Sequence, residues 1–275
     1  MDRAALPGEL LAAYDAARLM PLITARDEAF SMADAFGAAD VVRGRRIARG
    51  ERTRGYKIGF TNRNIWPLYG VHEPIWGPVW DTTTQLLDGA AVTTSLAGLT
   101  QPRLEPEVVF GFGATPRAGM GEAELAACIE WVAHGFEIVQ THFEGWRFKV
   151  ADTVADFALH GRLFVGPRVP AARFTDMGRE LAALQVELHC DDHLVECGAG
   201  SAVLDGPLNA LRLWVDAMAA QPQRWPIVAG DVVTTGTLTD AQPLRPGQRW
   251  ETRLDDARLA GLRLVVEGRS AGPLR

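Results

Sequence analysis

Arg103-Leu104-Glu105-Pro106-Glu107-Val108-Val109-Phe110 is the stretch whose reading decides this chain. As a strand it alternates: Leu104, Pro106, Val108 and Phe110 fall on one face, and Arg103, Glu105 and Glu107 on the other. Two carboxylates roughly 7 Å apart on one strand face repel unless water, a cation or a base separates them, and a hard divalent cation takes oxygen ligands of this kind. Pro106 cannot donate to a ladder, which predicts an edge strand or a neighbouring bulge. A second run, Gly135-Phe136-Glu137-Ile138-Val139, carries one acid inside an apolar stretch, where an unpaired charge is costly to bury. If the two strands are neighbours, Glu137 completes a three-carboxylate site with open positions for water and substrate, an arrangement that suits Mg²⁺. The competing reading puts Glu105 and Glu107 on a solvated face and pairs Glu137 with an arginine.

Outward from these strands the texture divides in two. Before them, from Gly8 to about Arg49, Leu10, Leu11, Tyr14, Ala17 and Leu19 recur at helical spacing and predict two helices. Asp27 is the expected cap of the second, the cluster Arg43, Arg45, Arg46 and Arg49 suits its last turns, and Gly50 or Gly55 ends it. From Gly55 onward, short apolar or alternating runs such as GYKIGF, LQVELHC and DVVTTGTL predict a sheet, with helices at Gly121 to His134 and Pro207 to Ala220. The expected architecture is α+β: an N-terminal helical segment over residues 1–54 and a β-rich catalytic domain over residues 55–275.

Composition narrows the function classes. A chain of 275 residues, nearly half apolar, buries a substantial core, and a net charge of −6 with scattered Lys and Arg gives no footprint for nucleic acid. No apolar run is long enough for a membrane, the first residues do not read as a secretion signal, and three cysteines make no disulfide framework, so a cytoplasmic location is expected. His189, Cys190, His193 and Cys197 have zinc-ligand chemistry. LQVELHC and HLVECGAG, however, read as two strands joined at Asp191-Asp192, which scatters those side chains over both faces. Trp66, Trp76 and Trp80 lie close in sequence and suit either an apolar pocket wall or a subunit interface.

Several motifs in order, GRR at Gly44 to Arg46, GYKIGFT from Gly55, GVHEPIWG from Gly70, LEPEVVF from Leu104, FEIV from Phe136, DTVAD from Asp152, GAGSAVLDGPLNAL from Gly198 and GDVVTTGTL from Gly230, resemble the fumarylacetoacetate hydrolase superfamily. Within it they are similar to the branch of 2-keto-4-pentenoate hydratases and 4-oxalocrotonate decarboxylases. The resemblance covers nearly the whole chain. It implies a mixed β-roll, a homo-oligomer, and Mg²⁺ or Mn²⁺ held by Glu105, Glu107 and Glu137, with a small 2-oxo acid as substrate. It also implies Lys57 and Asp81 as catalytic proton carriers, and a pocket role for Thr235 and Thr237. The reaction expected first is addition of water to a 2-hydroxydienoate to give a 4-hydroxy-2-oxo acid. Decarboxylation of a 2-oxo-3-enedioate, hydrolysis of an acylpyruvate-like substrate and a non-catalytic accessory role are the alternatives.

The chain also departs from that branch. Relatives commonly read DTVADNAS where this sequence has Asp152-Thr153-Val154-Ala155-Asp156-Phe157-Ala158-Leu159-His160, so Phe157 is expected to meet a bulkier or more apolar substrate and His160 is an extra histidine. A hydrolase-type lysine, expected in the strand that here reads Asp152-Thr153, is replaced by Thr153. His72-Glu73 resembles a hydrolytic dyad only weakly, because neighbours on a strand point apart.

Overall fold

The computed structural model describes residues 1–63, 66–69, 73–223 and 225–268. The chain opens with helices α1 (Leu6–Asp15), α2 (Ile23–Arg26) and α3 (Met32–Ala48), then strand β1 (Thr53–Gly59), helix α4 (Trp66–Tyr69) and strands β2 (Ile75–Trp80), β3 (Thr84–Leu86), β4 (Ala91–Thr94) and β5 (Arg103–Phe112). Helix α5 (Glu122–Ala126), strand β6 (Ile129–Val139), helix α6 (Val150–Ala155), strands β7 (His160–Val165) and β8 (Val169–Pro170), and helix α7 (Met177–Ala183) follow. Strands β9 (Gln185–Cys190) and β10 (His193–Ala199), helix α8 (Pro207–Ala220) and strands β11 (Val232–Thr237), β12 (Gln242–Pro243), β13 (Arg249–Leu254) and β14 (Arg263–Val266) complete it.

Two mixed sheets result, one ordered β2-β1-β11-β5-β6-β7-β3 with β12 and β8 attached to β5 and β6, the other ordered β10-β9-β13-β14-β4. The larger sheet curls into a half-barrel, the β-roll expected from the resemblance. Val79 of β2 and Leu163 and Val165 of β7, from strands well apart in the sheet, share one apolar cluster with Val109, Ala133 and Val232. Gly77 permits this closure, because a Cβ there would stand 2.8 Å from the Ala158 Cβ. On the outer face, Tyr56, Ile58, Phe110 and Val233 join Leu10, Phe36, Leu211 and Trp214 in the main core, so the N-terminal helices and α8 pack directly on the sheet.

Several expectations are corrected in detail. Helix α3 is capped not by Asp27 but by Ser31, whose hydroxyl accepts from the Asp34 amide while the Asp34 carboxylate accepts from the Ser31 amide. This reciprocal box satisfies two amides that Asp27 does not reach. The helix expected from Gly121 to His134 stops at Ala126, and Ile129–His134 belongs to β6, where Val132 and Ala133 are buried between neighbouring strands. Such an apolar run fits either a buried helix or a buried strand, and the pairing to β5 decides it. Asp152-Thr153 lies on helix α6, not on a strand: Asp152 is buried and accepts from the Thr24 amide and hydroxyl, which ties α6 to α2. Asp191 and Asp192 do form the hairpin turn, with φ of 48° and 68°.

Among the described residues no helix is long and apolar enough to cross a membrane.

Candidate metal centre

Strands β5 and β6 are antiparallel neighbours with Glu105 directly opposite Glu137 and Glu107 opposite Gly135. Residues in register share a face, and so do residues two apart on one strand, so the pairing alone brings all three carboxylates to the inner face of the half-barrel. One oxygen from each lies within 4.8 Å of the others. Pro106 sits in a central strand, not at an edge, and is tolerated because β11 bulges beside it: Thr234 pairs with Val109 and Thr237 with Glu107.

The bulge has a second effect. Gly236, at φ 104°, turns its amide onto Glu107 Oε2 at 2.7 Å, and a Cβ there would overlap the Thr61 hydroxyl. Glycine is therefore required at this point of the site.

Lys57 of β1 arrives on the same face through β11, with Lys57 opposite Thr234 and Thr234 opposite Val109. Its Nζ lies 3.3 Å from Glu137 Oε2, an ion pair that falls short of hydrogen-bond geometry. Glu137 Oε1 is held by His160 Nδ1 at 2.8 Å, and the Nε2 of that ring meets the Thr83 hydroxyl at 2.8 Å.

Electrostatics follow from burial and crowding. Burial raises the Glu105 carboxyl to about 7, with Lys57 opposing and Glu137 adding to the shift. Burial, then repulsion from Glu137 and Glu105, puts Glu107 well above the ordinary carboxylate range. Burial pushes Glu137 the same way, but Lys57 and the His160 hydrogen bond outweigh it and leave Glu137 lowered. For Lys57, burial disfavours the ammonium, yet the three nearby carboxylates leave its pKa raised and the group charged.

Three buried or half-buried acids thus face one ammonium. Glu107 Oε1 and Glu137 Oε2 are buried with no hydrogen-bond partner among the described residues. Unsatisfied buried carboxylate oxygens are costly, and an all-oxygen donor set with a charge deficit fits a hard divalent cation such as Mg²⁺ or Mn²⁺. In the described residues these acids form the one cluster of three metal-ligating side chains.

A cavity of about 350 Å³ opens beside Lys57 and Glu105. Ile75, Val139, Ala158 and Leu159 supply apolar wall, and Arg103 lies in the lining with its guanidinium stacked over Trp146 at 4.2 Å. The residues expected at the site divide around this cavity. Lys57, Glu105, Glu107, Glu137 and Thr237 are brought to it or to the carboxylates beside it.

Thr235, Asp81 and Phe157 are not. Thr235 falls on the opposite face by strand alternation and spends its hydroxyl on the Val108 carbonyl, while Thr234 takes the inner face. Asp81 follows the far end of β2, four residues beyond Gly77, the partner of Lys57, and so roughly 13 Å along the strand. There its carboxylate accepts from the Arg52 amide and guanidinium. Phe157 turns outward into Tyr14, 4.8 Å between ring centroids, and leaves the wall to Ala158 and Leu159. His72 lies outside the described residues.

Leu159, Ile75 and Thr83 carried no signal in the sequence, since an apolar or hydroxyl side chain in a short segment has no pattern of its own. His160 did stand out there, as a departure from its relatives. The three residues Phe157, Ala158 and Leu159, all non-glycine at φ between 50° and 64°, hold a left-handed turn against the cavity. Such strain persists only where the surroundings enforce it.

No family model matches the chain. Comparison with curated proteins finds it 32% identical over 244 residues to a 2-hydroxyhexa-2,4-dienoate hydratase of Comamonas testosteroni, covering 88% of this chain and 89% of that one. It is 30% identical over 236 residues to a 4-oxalocrotonate decarboxylase of a Pseudomonas species, covering 85% and 86%. Among solved structures, a 4-oxalocrotonate decarboxylase of Pseudomonas putida G7 complexed with magnesium and adipate superposes with a TM-score of 0.87 at 26% identity, over 96% of this chain and 97% of that one. With a β-roll of the same form and a carboxylate cluster in its inner face, the chain belongs to the 2-keto-4-pentenoate hydratase and 4-oxalocrotonate decarboxylase branch of the fumarylacetoacetate hydrolase superfamily.

Proposed function

We propose that this protein is a divalent-metal-dependent lyase acting on a small 2-oxo acid, and that its reaction is decarboxylation of a 2-oxo-3-enedioate in preference to the hydration expected first from sequence. Glu105, Glu107 and Glu137 would hold Mg²⁺ or Mn²⁺. When bound, the cation would supply an electrophile that stabilises negative charge developing on the substrate's 2-oxo acid group.

The observation that carries the choice is the cavity wall. Lys57 is the ammonium that lines the cavity beside the carboxylates, whereas His160, bonded to Glu137, does not line it. Ile75, Ala158 and Leu159 give the cavity apolar wall, whereas water addition would call for a second acid or base. The other ionisable lining groups are Arg103, stacked on Trp146, and the exposed Asp240.

Decarboxylation needs less. The bond to the distal carboxylate breaks, carbon dioxide leaves, and the electron pair moves through the conjugated double bond to the 2-oxo group, which takes one proton to give a 2-hydroxydienoate. The Lys57 ammonium, kept charged by its neighbours, faces the developing negative charge at no cost of reorganisation. Apolar walls favour loss of the carboxylate by replacing its hydration. Thr237 in the lining and the Gly236 amide on Glu107 fix the other side of the site.

The likeness to a dienoate hydratase supports hydration as the second reading. One experiment separates them. Enzyme with Mg²⁺ is given a 2-oxo-3-enedioate and, separately, a 2-hydroxydienoate; carbon dioxide release from the first with slow loss of the second is the expected result. Faster conversion of the dienoate to a 4-hydroxy-2-oxo acid sinks the decarboxylase reading. Calorimetric titration with Mg²⁺ addresses the accessory-subunit alternative, which expects no binding. A cytoplasmic homo-oligomer without nucleic-acid partners belongs to the same proposal.

A further inference from the structure

Glu137 presents two oxygens with different surroundings. Oε1 is bonded to His160 Nδ1, whereas Oε2 lies 3.3 Å from Lys57 Nζ and has no hydrogen bond among the described residues. His160 is 2% exposed, and its ring is fixed from the far side by Thr83, whose hydroxyl is also within hydrogen-bond distance of the Trp80 amide and carbonyl. A carboxylate on a strand rotates freely about its last torsion unless something holds it. Here the imidazole holds it, and the turn after β2 holds the imidazole.

We propose that His160 is a positioning residue for the metal centre: it locks the rotation of Glu137 so that one oxygen is committed to the cation, with Thr83 as its anchor. This rests on the metal reading above. His160 has no place in the reaction as written, since its ring does not line the cavity. Its effect reaches the substrate only through Glu137. Partners that orient a liganding side chain in this way commonly govern metal affinity, because an unoriented carboxylate must be ordered when the metal binds.

The test is Mn²⁺ affinity by titration calorimetry on the full chain, with folding checked by circular dichroism. Wild type is expected to bind, His160→Ala to bind about 10- to 100-fold more weakly, and His160→Asn, which retains a donor near the Nδ1 position, to recover most of the loss. Thr83→Val should weaken binding in the same direction by less. A purely structural histidine would lower the melting temperature in all three variants and leave the Mn²⁺ affinity of the folded protein alone. Wild type that fails to bind Mn²⁺ removes the metal reading and this proposal together. Wild type that binds, with folded His160→Ala within about twofold of it, overturns this proposal alone. Should His160→Ala not fold, Thr83→Val decides: weakened binding supports the lock, and unchanged binding overturns it.

Discussion

On the outer face of β5 and β6, Leu104, Phe136 and Ile138 are fully buried and pack in one cluster with Leu188 and Leu264 of the five-stranded sheet. On the inner face of the same two strands, Glu105, Glu107 and Glu137 crowd together with two oxygens unsatisfied and Lys57 beside them to offset part of their charge. Backbone, twist and hydrogen-bond ladder are common to both. The difference is that one face removes apolar area from water and stabilises the fold, while the other crowds buried carboxyl groups whose ionisation burial and mutual repulsion oppose. Side-chain alternation is what lets a single pair of strands do both.

The largest expected effect falls on the outer face. Phe136→Ala should cost about 3 to 5 kcal/mol in urea-unfolding free energy, and the folded fraction should keep its Mn²⁺ affinity. An equal loss of affinity would show that the two faces are not separable.

Next comes His134, the polar member of the outer face, whose Nδ1 lies 2.9 Å from the Glu107 carbonyl and whose Nε2 lies 2.8 Å from the Thr252 hydroxyl. Burial lowers its pKa from the ordinary 6.5 to about 4, with the Glu107 carbonyl opposing. Between those values the unfolded chain binds a proton that the folded chain refuses, so its contribution to stability is present above pH 6.5 and is lost as pH falls towards 4. Wild type should lose roughly 3 kcal/mol more than His134→Gln over that window, measured by urea unfolding at each pH.

On the inner face, Glu107→Gln should reduce turnover by more than about 100-fold, because it removes a charge from the ligand set. The same variant should melt no lower than wild type without metal, since it relieves a buried, repelled carboxyl. A marked drop in metal-free melting temperature would contradict the account of the inner face as destabilising.

Metal itself should sharpen the contrast: at 100 times its Kd, Mn²⁺ is expected to add about 2.7 kcal/mol to wild type and nothing measurable to Glu105→Ala. The smallest effect is expected from Asp81→Ala. Its carboxylate binds Arg52 well away from Lys57, so kcat/KM should stay within about a factor of two. A large fall in kcat would restore Asp81 to the chemistry.

How far the sequence could be read depended on whether a residue's partner lay on its own strand. The L-E-P-E-V-V-F alternation showed that Glu105 and Glu107 point the same way, and the sheet keeps them so. For Thr235 the same rule does not decide, since alternation alone groups it with Thr237, and the bulge between Thr234 and Thr237 is what separates them. The family likeness of T-T-G-T drew attention to Thr235, and the Val108 carbonyl has its hydroxyl instead. Phe157 was visible as a departure from its relatives, but which way it turns depends on a left-handed backbone and on Tyr14, 143 positions earlier in the chain. The run from Ile129 to His134 fits a helix as well as a strand because its apolar residues satisfy both periods, and only its pairing to β5 separates them.

From the sequence alone came the strand with two acids on one face, the buried third acid, the helical start of the chain and the family motifs, because alternation, charge and composition are local properties. Only the tertiary structure decided that Glu137 stands opposite Glu105, that His160 and Lys57 take opposite oxygens of it, and that Asp81 is elsewhere. Those facts depend on strand register and on the curl of the sheet, which are set by packing between residues far apart in the chain.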